Sequence, residues 1–252
     1  MKDIPKNDYM IMLRKSILRG SEGVISIYQG NLIKLFSVVP SIKINGHTKE
    51  FYSAKRKKLE VIMTKNSFSK HNAIYPTQLY SVYEQFCGYA MPDRRDFRTL
   101  YNMKFSRNEK IEILKRFRRI LDYFHSEKMV YGDIKGTNML LSSSGTKTAF
   151  CDLDNIMVEN IPIDKYARCA SYFCRKYGAV DYKLDSFMFN FLTIEYLLGI
   201  YSKNYENVFD FLDSNYVPQL SSNMDKKKVK SIFDELKNIT PHYKGEYIID
   251  YI

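Results

Sequence analysis

The hydrophobic pattern of this chain changes its period near residue 90. Before that point, short apolar runs such as GVISIY and LIKLF alternate with turn residues, and the longer run LYSVYEQFCGYAM follows. Runs of this length that are bounded by Gly, Asn and Pro predict the strands of an antiparallel sheet. One stretch, roughly 49–65, instead spaces its apolar residues as a helix does. The first part of the chain therefore predicts a small sheet with one helix laid against it.

Beyond residue 105 the spacing becomes helical. Five apolar residues of one segment fall on a single stripe: Ile111, Leu114, Phe117, Leu121 and Phe124. Ser106 and Glu109 predict a capping box that opens this helix. A second, more apolar helix is predicted over SFMFNFLTIEYLLG, with Gly199 placed to end it. The two helices indicate a mainly helical second half.

The rest of the second half carries weaker patterns. A strand-like run, TAFCDLD, leads into a long irregular stretch, and helical runs are predicted near 205–212 and 226–236. The whole pattern predicts an α+β protein with two lobes. The β-rich lobe is expected over 1–92 and the helical lobe over 93–252.

The chain is strongly basic, with a formal net charge of +11 at pH 7. Its basic residues crowd into 55–58 and 94–119, and a field of this sign favours anionic partners such as nucleotides, acidic peptides or nucleic acid. The sequence contains no nucleic-acid-binding module with aromatic residues among the basic ones, so nucleic acid is not an expected partner. We expect these basic residues to lie on solvated helix faces.

The four cysteines, Cys87, Cys151, Cys169 and Cys174, form no CxxC pair. Neither a disulfide framework nor a zinc site is expected from them, which favours a reducing compartment. No apolar run approaches the length of about 18 residues that a membrane-spanning helix needs, and the first residues lack the apolar core of a signal peptide. We therefore expect a cytoplasmic protein without a membrane segment.

The segment YGDIKGTNMLL is the most informative part of the sequence. It places Asp133 and Asn138 five residues apart, and an apolar run that ends in Asp152 follows. Phosphoryl transfer needs a carboxylate that orients the attacking hydroxyl or accepts its proton, and it needs oxygen ligands that hold Mg²⁺ against the phosphates. Asp133 is the candidate for the first role. Asn138 and Asp152 are the candidate metal ligands, with Asp154 as a further oxygen donor.

This region resembles the catalytic and metal-binding loops of the protein-kinase superfamily. FHSEKMVYGDIKGTNMLL is similar to the usual catalytic loop, and AFCDLDN is similar to the strand that ends in DFG. The GD and DLD variants resemble those of bacterial members related to eukaryotic Ser/Thr kinases. The resemblance implies a bilobal kinase fold, ATP and Mg²⁺ as cofactors, and a protein substrate. It also implies that Lys135 contacts the transferred phosphate and that Asp185 braces the loop from below, although a helix N-cap is the competing interpretation of Asp185.

The resemblance continues upstream. The first turn is similar to a glycine-rich loop, with Gly20 and Gly23 in place and Leu18 where the first glycine stands. Backbone N–H groups of such a loop approach phosphates because glycine has no Cβ. Lys34 matches the strand lysine that contacts the α- and β-phosphates, whereas a lysine on a strand otherwise faces outward. Met91 lies at the start of the predicted hinge, near 91–94, and is assigned to the nucleotide site.

The sequence departs from the family pattern in three places. The helix glutamate that pairs with the strand lysine in active kinases falls on Lys55, and only a different register would bring Glu60 there. Tyr131 and Gly132 stand where the family has His and Arg, so ordering of the activation segment by phosphorylation is not expected. The APE motif is replaced by SYFCRKYGAV, so the family's peptide-substrate platform is not predicted from this segment.

Three functional hypotheses follow from these motifs. The leading one is an ATP-dependent protein kinase that acts on Ser or Thr. The second is a small-molecule kinase of the aminoglycoside-phosphotransferase type, which shares the loop and the Mg²⁺ chemistry. The third is a non-catalytic pseudokinase that binds a partner. Lys135 favours the first hypothesis, the missing APE motif favours the second, and the missing helix glutamate favours the third.

Overall fold

The computed structural model of the chain describes residues 1–20, 22–36, 49–65, 73–163, 168–199, 220 and 225–252. Over these ranges the fold is α+β, as the sequence predicts. The chain divides into two compact units, residues 1–95 (unit 1) and 96–252 (unit 2). The boundary predicted from the sequence lies a few residues earlier. Among the helices within the described ranges, none combines the length and apolarity that crossing a membrane requires.

Unit 1 is built on a six-stranded sheet in the order β1-β5-β6-β4-β3-β2. Its strands are β1 (Lys2–Asp3), β2 (Leu18–Arg19), β3 (Val24–Tyr28), β4 (Asn31–Leu35), β5 (Gln78–Val82) and β6 (Gln85–Met91). Neighbouring strands are antiparallel except for β1, which pairs in parallel with β5. The predicted all-antiparallel sheet is therefore wrong at this edge. A parallel pair needs a long connection, and the rest of unit 1 supplies it.

Unit 1 contains two helices within the described ranges, α1 (Lys6–Arg14) and α2 (Lys49–Thr64). The prediction of a helix over 49–65 is confirmed, but the prediction of one helix in this lobe is wrong. Buried residues of α1, including Tyr9 and Leu13, share a core with residues of β3 and β4. The signal for α1 is weak because a short helix presents few apolar residues, and its stability comes from this packing.

Unit 2 is organised by two helices, α3 (Arg107–Ser126) and α5 (Tyr182–Leu198). Ser106 donates its backbone N–H to Glu109 at 2.7 Å and its hydroxyl accepts from the backbone of Glu109 at 3.4 Å, so the predicted capping box is confirmed. Gly199 ends α5 with a φ of 69°, a left-handed conformation that favours glycine. The capping residues therefore fix both helix ends that the sequence predicted.

Short strands connect these helices. A three-stranded sheet has the order β10-β9-β7, and β11 pairs with β8. The strands are β7 (Arg98–Thr99), β8 (Met129–Val130), β9 (Met139–Leu141), β10 (Thr148–Phe150) and β11 (Met157–Val158). The predicted strand character of TAFCDLD holds for its first three residues, and a 3₁₀ turn over Leu153–Asn155 follows. Asp152 lies between this strand and the turn, where it is the N-cap residue.

The stretch predicted to be irregular contains a helix, α4 (Arg168–Tyr177). Phe173 of this helix is fully buried, with its ring 5.1 Å from that of Phe187 and 5.6 Å from that of Tyr243. These contacts join residues far apart in sequence, so local spacing did not reveal them.

The C-terminal segment is part of the core of unit 2. The predicted helix near 226–236 is confirmed as α6 (Lys226–Lys237), whereas the one near 205–212 lies outside the described residues. The Asn190 side chain of α5 donates to the carbonyl of Glu246 and accepts from the N–H of Ile248, both at 2.8 Å. A buried amide with both of its polar ends satisfied fixes this segment against α5.

Two basic residues of α3 donate hydrogen bonds to backbone carbonyls of other segments. Lys110 donates to the carbonyl of Tyr196 at 2.8 Å, and Arg116 donates to the carbonyl of Gly145 at 2.6 Å. Both are partly buried. The expectation that the residues of 94–119 lie on solvated faces is therefore wrong for these two, which hold the end of α5 and the β9–β10 turn.

Candidate active site

The loop between β8 and β9 brings the predicted catalytic residues of unit 2 together. Asp133 is 8% exposed. Its Oδ2 atom accepts a hydrogen bond from Lys135 Nζ at 2.7 Å and one from Asn138 Nδ2 at 2.9 Å. Two donors to one oxygen fix the rotamer of the carboxylate. The other oxygen, Oδ1, takes part in neither of these bonds.

Asp152 is placed next to this group by the pairing of β9 with β10. The N–H of Cys151 donates to the carbonyl of Asn138 at 3.0 Å, and Asp152 is the following residue. Asp152 has φ 64° and ψ 42°, a left-handed conformation that is uncommon for residues other than glycine and is found at functional sites. The strand pairing thus puts the two candidate metal ligands at one end of the β9–β10 hairpin.

Asp185 supports the loop from α5. Its carboxylate accepts from the N–H of Tyr131 at 2.8 Å and from the N–H of Gly132 at 2.7 Å, and it bonds His125 Nε2 at 3.0 Å. Asp185 is fully buried. The prediction that Asp185 braces the loop between β8 and β9 is confirmed. The competing N-cap interpretation is wrong, because Asp181 caps α5 by accepting from Lys183 N at 2.8 Å.

Replacing Asp185 by Ala should lower the free energy of unfolding by about 3 to 5 kcal/mol, because two buried N–H groups and a partly buried histidine lose their partner. Urea denaturation followed by circular dichroism measures this loss. Asp181→Ala is the matched control, since losing a partly exposed N-cap costs about 1 kcal/mol. Equal losses in the two variants would show that Asp185 contributes no more to stability than a helix cap does.

Tyr131 and Gly132 stand where the kinase family has His and Arg, and they make different contacts. The Tyr131 hydroxyl donates to the carbonyl of Cys151, and its ring lies 4.6 Å from that of Phe150. Burial holds the pKa of this phenol well above its usual range, so it remains a neutral donor. Gly132 has a φ of 67°, and a Cβ there would lie 2.1 Å from Ile163 Cδ1. An arginine at this position would therefore strain the backbone and displace the Ile163 side chain.

Unit 1 holds the residues that were assigned to the nucleotide. Lys34 lies between Ile25 and Tyr89 on neighbouring strands and is only 7% exposed. Its Nζ atom is 5.7 Å from the centre of the Phe36 ring, which is within range of a cation–π contact. The interpretation of Lys34 as an outward-facing strand lysine is therefore wrong. Met91 is the last residue of β6, where it pairs with Leu32.

The two glycines of the first turn have different reasons for being glycine. The N–H of Gly20 donates to the carbonyl of Gly23 at 2.9 Å, which closes the turn. A Cβ on Gly23 would lie 2.4 Å from the carbonyl oxygen of Leu35, whereas a Cβ on Gly20 would meet nothing closer than 3.6 Å. Only position 23 requires glycine, because its backbone lies close to β4. A phosphate-binding role for both stays a prediction.

The helix position that kinases give to glutamate is occupied by a buried lysine. Lys55 has no exposed surface, and its Nζ atom lies 3.0 Å from Oε2 of Glu22. Glu60 is 44% exposed and pairs with Arg56 at 2.8 Å, so the register that would offer Glu60 to Lys34 is not adopted. The expectation of a solvated face is wrong for Lys55 and Lys58, which are fully buried. The resemblance matched Lys55 to the glutamate position of kinases, but the sequence predicted neither its burial nor its partner.

The donors of unit 2 suit a magnesium ion that is bound together with a nucleotide. Both Asn138 side-chain bonds described for this loop use Nδ2, so Oδ1 is the atom that Asn138 would offer to a metal, and Asp152 would add a carboxylate. Within the described ranges, no group of three or more His, Cys, Asp or Glu residues is arranged to hold a metal. Mg²⁺ is usually held by one or two carboxylates together with waters and substrate phosphates. The donor set therefore fits this ion.

The predicted site residues fall into two groups. Asp133, Lys135, Asn138 and Asp152 belong to unit 2, while Gly20, Gly23, Lys34 and Met91 belong to unit 1. A comparison with models of known protein families finds no match. A comparison with characterised proteins also finds none. The resemblance to kinases therefore depends on the motifs and on the geometry of these residues.

Proposed function

We propose that the chain is a kinase with a bilobal, protein-kinase-like fold that transfers the γ-phosphoryl group of ATP to a hydroxyl, most naturally a Ser or Thr hydroxyl of a protein. The observation that supports this most directly is the loop of unit 2. There, Lys135 and Asn138 fix the carboxylate of Asp133, while Asp185 fixes the backbone of the same loop.

Each loop residue has a defined task in this proposal. Asp133 orients the attacking hydroxyl and accepts its proton, since phosphoryl transfer asks the protein chiefly for positioning and charge stabilisation. The side chain of Lys135 is half exposed although its ammonium group pairs with Asp133. It can therefore contact a transferred phosphate without leaving the loop. Mg²⁺, when bound, supplies positive charge to the phosphates.

Four residues of unit 1 are proposed to contact the nucleotide. Lys34 would pair with the phosphates, Gly20 and Gly23 would offer backbone N–H groups, and Met91 would line the adenine end at the hinge. A cytoplasmic location belongs to the same proposal. The three described cysteines, Cys87, Cys151 and Cys174, are free thiols, which a reducing compartment maintains.

Incubation of the purified chain with γ-labelled ATP and Mg²⁺, alone and with a generic basic or acidic protein, tests the proposal. We expect label on protein, and we expect EDTA to abolish it because the phosphate charges then lack their counter-ion. Label recovered only on added small hydroxyl compounds would favour the aminoglycoside-phosphotransferase type. Nucleotide binding without transfer to any acceptor would favour the pseudokinase.

A further inference from the structure

A glycine in the loop between β8 and β9 lies directly against the ring of a tyrosine. Gly136 is buried, and a Cβ at this position would lie 2.2 Å from Cε2 and 2.3 Å from Cζ of Tyr101. Gly136 does not have a positive φ, so its backbone conformation alone would accept alanine. A side chain at position 136 would therefore have to displace either the Tyr101 ring or the loop itself.

Backbone hydrogen bonds join the same two segments. Tyr101 belongs to a 3₁₀ turn over Leu100–Asn102, which lies between β7 and α3. The N–H of Leu100 donates to the carbonyl of Gly136 at 3.2 Å. Strand β7, just before this turn, pairs with β9, the strand that follows the loop. These bonds hold the turn beside the loop and place the Tyr101 ring on Gly136.

Helix α5 fixes the Tyr101 ring from its hydroxyl end. The hydroxyl donates to Oε2 of Glu195 at 3.1 Å, and only 9% of Glu195 is exposed. The same helix holds the start of the loop through Asp185. Helix α5 therefore supports the loop at two places, directly through Asp185 and indirectly through Glu195 and the Tyr101 ring.

Gly136 lies between the two residues that fix the Asp133 carboxylate. Lys135 precedes it and Asn138 follows it, and their side chains donate to Asp133 Oδ2 at 2.7 and 2.9 Å. The N–H of Asn138 also donates to the carbonyl of Lys135 at 2.9 Å, so residues 135–138 form a tight turn. A shift of Gly136 would therefore move both donors relative to Asp133.

We propose that Tyr101 is a positioning residue, which holds residues 135–138 in place so that the Asp133 carboxylate stays aligned for phosphoryl transfer. We call its contact with Gly136 the Tyr101 brace. The inference rests on the proposed kinase function and adds to it a residue outside the catalytic and metal-binding loops. Such a residue has a large effect because a misplacement of about 1 Å at a reacting group can cost about 10²-fold in rate.

Gly136→Ala should reduce kcat by about 100-fold, because the added methyl group and the Tyr101 ring cannot both keep their places. Tyr101→Ala should reduce kcat by about 10-fold, because the loop loses its brace. The double variant should also lose only about 10-fold, since removal of the ring leaves room for the methyl group. Independent sites would instead multiply to a loss of about 1,000-fold.

Initial rates at varied ATP concentration measure kcat and the KM for ATP in these variants. The KM should change little in all three, because the residues assigned to the nucleotide belong to unit 1. A lower kcat with an unchanged KM, in variants that circular dichroism shows to be folded, is the result expected of a positioning residue. A residue that only stabilises the fold would leave the kcat of the folded fraction unchanged.

Tyr101→Phe tests the link to Glu195, with Tyr247→Phe as its matched control. Each change removes one phenol hydroxyl from unit 2, but the buried Tyr247 hydroxyl has no hydrogen-bond partner among the described residues. Tyr101→Phe should lower kcat by a smaller factor than Tyr101→Ala, and Tyr247→Phe should leave kcat unchanged. This comparison decides the question if Gly136→Ala fails to fold, and equal rates in the two Phe variants would then overturn the brace.

Hydrogen exchange tests the brace without any catalytic measurement. The amide of Asn138 is bonded to the carbonyl of Lys135, so its exchange reports opening of this turn. Mass spectrometry of the peptide that contains residues 133–138 should show exchange at least about 10-fold faster in Tyr101→Ala than in the wild type. The Tyr247→Phe variant should exchange as the wild type does.

Wild-type turnover in folded Gly136→Ala would overturn the brace, even in a protein that transfers phosphate from ATP. A loss in the double variant that equals the product of the single losses would overturn it as well. Faster loop exchange in Tyr101→Ala, in a protein without any phosphoryl transfer, would instead support the brace and contradict the proposed kinase activity. The two proposals can therefore fail separately.

Discussion

Replacing Asp133 by Asn should reduce kcat by about 10² to 10⁴-fold, which is the usual contribution of a general base or orienting carboxylate. The KM for ATP should change little, because this residue is proposed to contact the hydroxyl acceptor rather than the nucleotide. Asn is close to isosteric with Asp, and its amide oxygen can still accept from Lys135 or Asn138. The fold of the loop should therefore survive. Initial rates at varied ATP concentration measure both constants.

Two further variants make this result specific. Asp122→Asn makes the same chemical change on an exposed face of α3, where Asp122 pairs with Arg118, and it should leave kcat unchanged. Lys34→Ala should instead raise the KM for ATP, since Lys34 is assigned to the phosphates. Wild-type turnover in the Asp133 variant would remove the carboxylate from its proposed role.

Replacing Asp152 by Asn should abolish Mg²⁺-dependent transfer while leaving nucleotide binding in EDTA close to that of the wild type. Charge stabilisation by a bound metal is worth several kcal/mol, which corresponds to a loss in kcat of at least about 100-fold. Asn is preferred to Ala because Asp152 has a φ of 64°, and Asn tolerates this conformation better than Ala does. Calorimetric titration with ATP in EDTA and in Mg²⁺ separates the two effects.

Asp154→Asn is the companion to this variant, since the sequence also offers Asp154 as an oxygen donor. Asp154 is fully buried in the 3₁₀ turn, so its loss should lower stability more than it changes the dependence on Mg²⁺. A normal Mg²⁺ response in Asp152→Asn together with a lost response in Asp154→Asn would transfer the metal role to Asp154.

The elements that the sequence predicted well are those whose signals lie within a few residues. Ser106 and Glu109 are about one helical turn apart, so a short sequence motif is enough to predict their reciprocal hydrogen bonds. The apolar residues of α5 are contiguous, and Gly199 follows them directly. The proximity of Asp133 to Asn138 likewise needs only one short loop, and the sequence motif located it.

The elements that the sequence missed depend on distant contacts. Helix α4 is stabilised where Phe173 packs against Phe187 and Tyr243, and the parallel pairing of β1 with β5 joins residues at opposite ends of unit 1. Neither feature leaves a strong local periodicity. Secondary structure of this kind is decided by packing rather than by intrinsic propensity.

The sequence by itself determined the α+β fold class, the main helices and the identity of the residues proposed for chemistry. Only the tertiary structure decided how those residues are held. Asp185 braces the loop through the backbone N–H groups of Tyr131 and Gly132. Every residue except proline carries a backbone N–H. The side-chain pattern of the sequence therefore does not show which of them Asp185 binds. The sequence likewise predicted a solvated face for Lys55, because its burial and its pairing with Glu22 depend on how the chain folds back. The physical reason is that hydrogen bonds and ion pairs act over a few ångströms of space, whatever the number of residues that separates the partners.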